Sequence, residues 1–131
     1  MPSRAKIVGV DKVQRKLRHA ATVGQREEYG PALFAEIDEV ETPECRARTP
    51  IDTGALVNTV RTVGPEYRGQ FVFCGTVAGG PDAPYAPYVH ENLEAHHPVG
   101  QAKFIESVYR ESSAYLPARV ARRIDMRRIL R

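Results

Sequence analysis

Two stretches of the chain carry residue types that could do chemistry. The first is Thr49-Pro50-Ile51-Asp52-Thr53-Gly54-Ala55-Leu56. In Asp-Thr-Gly a carboxylate sits beside a hydroxyl and a glycine, and two such carboxylates can share one proton and activate water. The same aspartate can instead cap a turn, accepting the N–H of Gly54 or Ala55, with Gly54 free to take positive φ. The second stretch holds His90, Glu91, Glu94, His96 and His97. A zinc-binding helix needs His-Glu-x-x-His, so that two imidazoles project from one face. Here the fourth position after His90 is Glu94, and Pro98 stops any helix carrying His96 and His97. The spacing therefore predicts a polar loop, no metal and no cofactor.

The water-activating reading is that of an aspartic protease, and its context is wrong. Those enzymes are all-β, with Asp-Thr-Gly following an apolar strand. Here Glu44-Cys45-Arg46-Ala47-Arg48 precedes it, charged and helix-patterned. Phe73-Cys74-Gly75 imitates the second apolar element of that fold but follows too soon. The chain has no Gly-rich phosphate loop, no nucleophile elbow and no RNA-binding aromatic signature. No catalytic residue is expected.

The elements that must position these residues read as an α+β domain. With 131 residues and a net charge of +3, the chain is expected to be one domain with one modest core. Residues 1–9 read as an N-terminal arm with no secretion signal. Residues 10–48 read as helices. The first is capped by Asp11, with Val13, Leu17 and Ala20 or Ala21 on one face, and ends at Gly24. The second places Tyr29, Leu33, Ile37 and Val40 inward and Glu27, Glu28, Glu36, Asp38 and Glu39 outward. Pro43 either kinks that helix or opens a last turn capped by Thr42. Pro50 ends the helix.

Beyond it the period changes to two. Residues 56–77 predict an antiparallel hairpin: a strand from Leu56 to Val63, a turn over Gly64-Pro65-Glu66-Tyr67-Arg68-Gly69, and a strand from Gln70 to Val77. Residues 101–116 predict a helix through Phe104, Ile105, Val108 and Tyr109, packed on the sheet. Residues 117–131 predict a basic helix opening at Pro117. Cys45 and Cys74 lack metal-site spacing and read as small hydrophobes. No apolar run is long enough to span a membrane.

Three segments together resemble the tail-component family of tailed bacteriophages, the HK97 gp10-like or tail-completion proteins. They are Arg46-Ala47-Arg48-Thr49-Pro50-Ile51-Asp52-Thr53-Gly54-Ala55-Leu56, Ala86-Pro87-Tyr88-Val89-His90-Glu91, and Gly100-Gln101-Ala102-Lys103-Phe104-Ile105-Glu106. The resemblance covers roughly residues 25–109 and stops short of the basic end. It implies a structural virion protein rather than an enzyme: a head–tail joining subunit at the phage neck, made in the host cytoplasm. The ring would be a homo-oligomer, a hexamer or a dodecamer. Its partners would be the head connector and tail proteins, with DNA passing close by and no membrane involved. A tail terminator or minor tail protein is the nearest alternative; a protease using Asp52 or a stand-alone nucleic-acid binder is further off.

On this reading Thr49, Pro50, Asp52, Thr53, Gly54 and Leu56 form a structural turn. Tyr85, Pro87, Tyr88, His90 and Glu91 are candidate subunit-interface residues, since tyrosine joins apolar area to a polar tip. Arg119, Arg122, Arg123, Arg127 and Arg128 are expected to order the C-terminal helix by docking on an acidic partner surface.

Overall fold

The computed structural model describes residues 9–51, 54–93 and 100–129. It is an α+β fold dominated by one long helical run over residues 10–48. This run comprises α1 (Val10–Val23), a π-helical stretch (Gly24–Tyr29), α2 (Gly30–Glu36), a second π-helical stretch (Ile37–Glu41) and α3 (Thr42–Arg48). Gly24 does not end it: its backbone stays helical at φ −58°. Each π-helical stretch lies just upstream of a proline, Pro31 or Pro43, which enters at the start of the following α-segment. A proline ring clashes with the carbonyl four residues back, and the wider π turn relieves that clash without breaking the helix.

Thr49 leaves the helix in extended conformation, as expected before Pro50. Leu56 does not begin a strand. It precedes a single 3₁₀ turn (Val57–Thr59), and the sheet starts later, as β1 (Arg61–Arg68) and β2 (Phe71–Val77). The two pair antiparallel, with Arg61 opposite Val77 and Arg68 opposite Phe71. Gly64-Pro65, expected to form the turn, instead lies inside β1, where the register slips between Val63 and Glu66. Proline gives the ladder no donor, so a bulge accommodates it. A Cβ at Gly64 would stand 2.7 Å from the Phe73 carbonyl oxygen, so only glycine fits there. The actual turn is Gly69-Gln70, with Gly69 at φ +59°.

The hairpin lays Thr62, Tyr67, Val72, Cys74 and Thr76 toward the long helix and leaves Val63, Phe71 and Phe73 exposed on its other face. Tyr67 approaches so closely that a Cβ at Gly30 would meet its hydroxyl. The remaining elements are α4 (Ala86–Glu91), α5 (Glu106–Ser112), α6 (Leu116–Ala121) and α7 (Met126–Ile129). The helix expected over residues 101–116 is thus only α5, and the basic helix is split into α6 and α7. Cys45, Leu56, Val60, Ala83, Ala86, Phe104 and Val108 form one buried cluster that joins α3, the 3₁₀ turn, α4 and α5.

The inward face of the long helix departs from expectation. Leu33 and Ile37 do point in, but Tyr29 and Val40 are exposed, while Glu28, Glu36 and Glu41 are buried. Their counter-charges come from the C-terminal segment. Arg119 Nε donates to Glu36 at 2.6 Å, and Arg123 reaches Glu36 and Glu39, each at 2.5 Å. Arg128 lies 3.6 Å from Glu28. The acidic surface expected on a partner is therefore, for Arg119, Arg123 and Arg128, this chain's own helix. Arg127 turns to Asp125 at 3.4 Å, and Arg122 is exposed. Val120 is 1 % exposed, so α6 is anchored in the domain.

Candidate functional site

The three segments that carry the resemblance are separate in sequence, and the fold brings them into one corner. The Gln101 N–H donates to the Arg48 carbonyl at 2.9 Å, which ties the third segment to the first. Gly100 makes this approach possible. It sits at φ +88°, and a Cβ there would lie 2.6 Å from backbone atoms of Thr49 and Pro50. The Lys103 N–H donates to the His90 carbonyl at 2.7 Å, which ties the third segment to the second. Lys103 itself holds a positive φ of 56°, a strained conformation for a side chain of its size.

Within the corner, Thr49 is fully buried and its Oγ1 donates to the Cys45 carbonyl at 2.6 Å. Pro50 and Leu56 are buried beside it, and Gly54 takes φ +84°. Asp52 and Thr53 lie outside the described residues, so the capping expected of Asp52 does too. Arg48 fans out to Glu44 at 3.0 Å, Ser107 at 3.1 Å and Glu111 at 2.5 Å, which binds the end of α3 to α5. Arg46 Nε donates to the Val60 carbonyl at 3.1 Å.

His90 works as a clamp. Its ring packs edge-on to the buried Phe104, with centroids 5.0 Å apart. Nε2 accepts the backbone N–H of Glu106 at 3.3 Å, so the proton belongs on Nδ1, which then donates to Glu91 at 2.8 Å. The Lys103 ammonium bridges Glu91 and Glu106. It holds both carboxyls below their ordinary range, helped by His90 at Glu91 and by Arg110 at Glu106. His90, Glu91 and Glu106 are close enough to share a cation, and the Lys103 ammonium already occupies that role. Glu94, His96 and His97 lie outside the described residues.

The outer side of the corner is apolar and open. Tyr85 and Tyr88 are exposed, Tyr88 to 71 %, with Leu93 and Pro87 nearby. Asn92 Nδ2 donates to the Tyr88 hydroxyl at 3.1 Å. A shallow pocket of about 440 Å³ opens between Ala86, Pro87, His90, Phe104, Ile105 and Tyr109. Known protein families, characterised proteins and solved structures offer no match to this chain.

A hydroxyl chain braces the other side of the core. Thr62 donates to Asp38 at 2.8 Å; Thr42 lies 2.7 Å from Thr62 and 2.8 Å from Thr76; Thr76 lies 2.7 Å from the Tyr109 hydroxyl. Each hydroxyl has one proton, and Asp38 only accepts. The donors therefore run in one direction, from Tyr109 to Thr76 to Thr42 to Thr62 to Asp38. Thr62 and Thr76 each fall on the inward positions of their strand's alternation; their partner on α3, Thr42, has no local signal.

Proposed function

We propose that this chain is a structural subunit of a tailed-phage particle, which joins head to tail as part of a ring at the neck. The observation that carries this reading is the convergence of the three resemblance segments. Residues 46–56, 86–91 and 100–106 resemble that family as separate stretches, and they lock together through Gly100, Gln101, Lys103 and His90. Lys103, His90, Glu91 and Glu106 pair with one another and Arg48 ties α3 to α5, as in a framework, and the side facing solvent offers tyrosines and a shallow apolar pocket.

A ring subunit also needs two different surfaces, because a closed ring repeats a head-to-tail contact. Three separate apolar surfaces are exposed here: Tyr85 and Tyr88 at the start of α4, Phe71 and Phe73 on the hairpin, and Val10, Val13 and Leu17 along α1. Arg119, Arg123, Arg127 and Arg128 meet the chain's own acids, which argues against a stand-alone nucleic-acid binder. Gold-labelled antibody against the purified protein should mark the head–tail junction of particles from a producing culture. Label spread along the tail, or particles without label, would refute the reading.

A further inference from the structure

Among the described residues, the buried side-chain polar atoms with no hydrogen-bond partner are Glu41 Oε1 and Oε2, Ser112 Oγ and Arg119 Nη2. All three residues line one notch of about 350 Å³ between the long helix and the α5–α6 segment. Glu41 is only 1 % exposed. Arg119 Nη1 stands 2.6 Å from its Oε1. That contact supplies charge, but its direction is poor, and neither carboxylate oxygen receives a well-aimed donor. A buried acceptor left this way is costly unless something completes it. The charged lining is Glu41, Glu44 and Glu111 against Arg48 and Arg119, three negative groups to two positive. Beside the notch two apolar side chains stand out in solvent, Val40 at 43 % and Tyr115 at 67 % exposure.

The complement of this surface is on the same chain. Helix α1 buries none of its 14 residues. Its apolar stripe, Val10, Val13 and Leu17, is exposed, Leu17 to 64 %. Lys12, Arg15, Lys16 and Arg18 flank the stripe against the single acid Asp11. α1 is the leading end of the long helical run and meets α7 along one side, but its apolar stripe stays in solvent. At about 1.5 Å per residue it reaches roughly 20 Å, enough to cross onto an adjoining molecule. An amino or guanidinium group entering the notch would give Glu41 and Ser112 the donors they lack, while the stripe covered Val40 and Tyr115. The fourth atom, Arg119 Nη2, is a donor and gains nothing from a cation.

We infer that α1 of one copy docks on the notch of the next, its apolar stripe over Val40 and Tyr115 and one of its basic side chains at Glu41. This inference rests on the ring reading and specifies its contact. It is heterologous, as ring closure requires.

The test uses full-length protein and light scattering after size exclusion, with melting followed by circular dichroism. Reversing Lys12→Glu, Arg15→Glu and Lys16→Glu changes only exposed side chains. It should leave the melting temperature unchanged and weaken association about tenfold or more. Adding Glu44→Lys and Glu111→Lys at the notch should restore assembly, because charges of opposite sign face each other again. Should that rim variant fail to fold, Leu17→Asp carries the test, since it removes the stripe from an exposed site. Rings that survive both the α1 charge reversal and Leu17→Asp would overturn this contact alone. So would a folded five-fold charge swap that does not reassemble. A wild-type protein that stays monomeric would overturn the ring reading together with it.

Discussion

Replacing Glu36 by glutamine tests the energetic link between the long helix and the C-terminal segment. Glu36 lies in the middle of α2 and is almost fully buried. Arg119 and Arg123 donate to its two oxygens at 2.6 and 2.5 Å. Burial by itself would raise this carboxyl, but the hydrogen bonds and charges of Arg123 and Arg119 outweigh it and hold the group below its ordinary range. Glutamine keeps the size and loses the charge. Arg119 then retains only Glu41, and Arg123 only the exposed Glu39.

A surface pair contributes about 0–1 kcal/mol, and breaking a buried one costs about 3–5. The carboxylate is buried here, and the two arginines are a quarter to a third exposed, which puts the expected loss at about 2 kcal/mol. For a domain of this size that is a fall in melting temperature of roughly 6–10 °C. The sign with pH follows from the lowered folded-state value. The stabilisation is complete above the unfolded carboxylate range and is lost as pH falls through the folded value. The gap between wild type and Glu36→Gln should therefore be widest near neutral pH and close in acid. Thermal melts of both proteins across that range are the assay. Equal melting at neutral pH, or a gap that widens in acid, would refute the reasoning.

Gly100→Ala should destabilise by roughly 1–3 kcal/mol from backbone strain alone, since φ is +88° and the new methyl meets Thr49 and Pro50; a chemical melt unchanged from wild type would remove that contact from the account. Tyr109→Phe takes away the first donor of the hydroxyl chain and should cost about 1 kcal/mol. In the wild type, burial pushes the Tyr109 phenol up to about 12, so ultraviolet titration should show a component near pH 12 that Tyr109→Phe removes. Replacing Tyr85 and Tyr88 together by serine should impair assembly while barely moving the melting temperature; a large loss of stability would place both in the core.

The sequence made much of this architecture legible, and the limits follow from which forces are local. β2 was readable because Phe71, Val72, Phe73, Thr76 and Val77 are aromatic or β-branched, with Cys74-Gly75 alone between them. The ends of β1 were not. Leu56 to Thr59 alternate as a strand would, yet burial of Leu56 and Val60 in one cluster favours a turn between them. Gly64-Pro65 signals a departure from regular pairing, and a hairpin turn and a bulge use the same two residues. Gly24 looked like a helix end because glycine is enriched there, but in a helix it costs only about 1 kcal/mol, and the chain runs on through it. The larger miss was the face of the long helix. Acidic residues normally face water, so Glu28 and Glu36 were expected outside. They are inside because Arg119, Arg123 and Arg128 arrive from the other end of the chain. The arginine run was conspicuous, but its partner was sought on another molecule. The convergence of residues 46–56, 86–91 and 100–106 was not legible, since Gly100 and Lys103 give no local sign of what they approach.

The central claim is that this chain works as a ring, and the mass of its native assembly tests that most directly. Native mass spectrometry of the purified full-length protein should give one closed species at six or twelve times the 14.6 kDa chain. A single peak at the monomer mass, maintained as protein concentration is raised, would contradict the account.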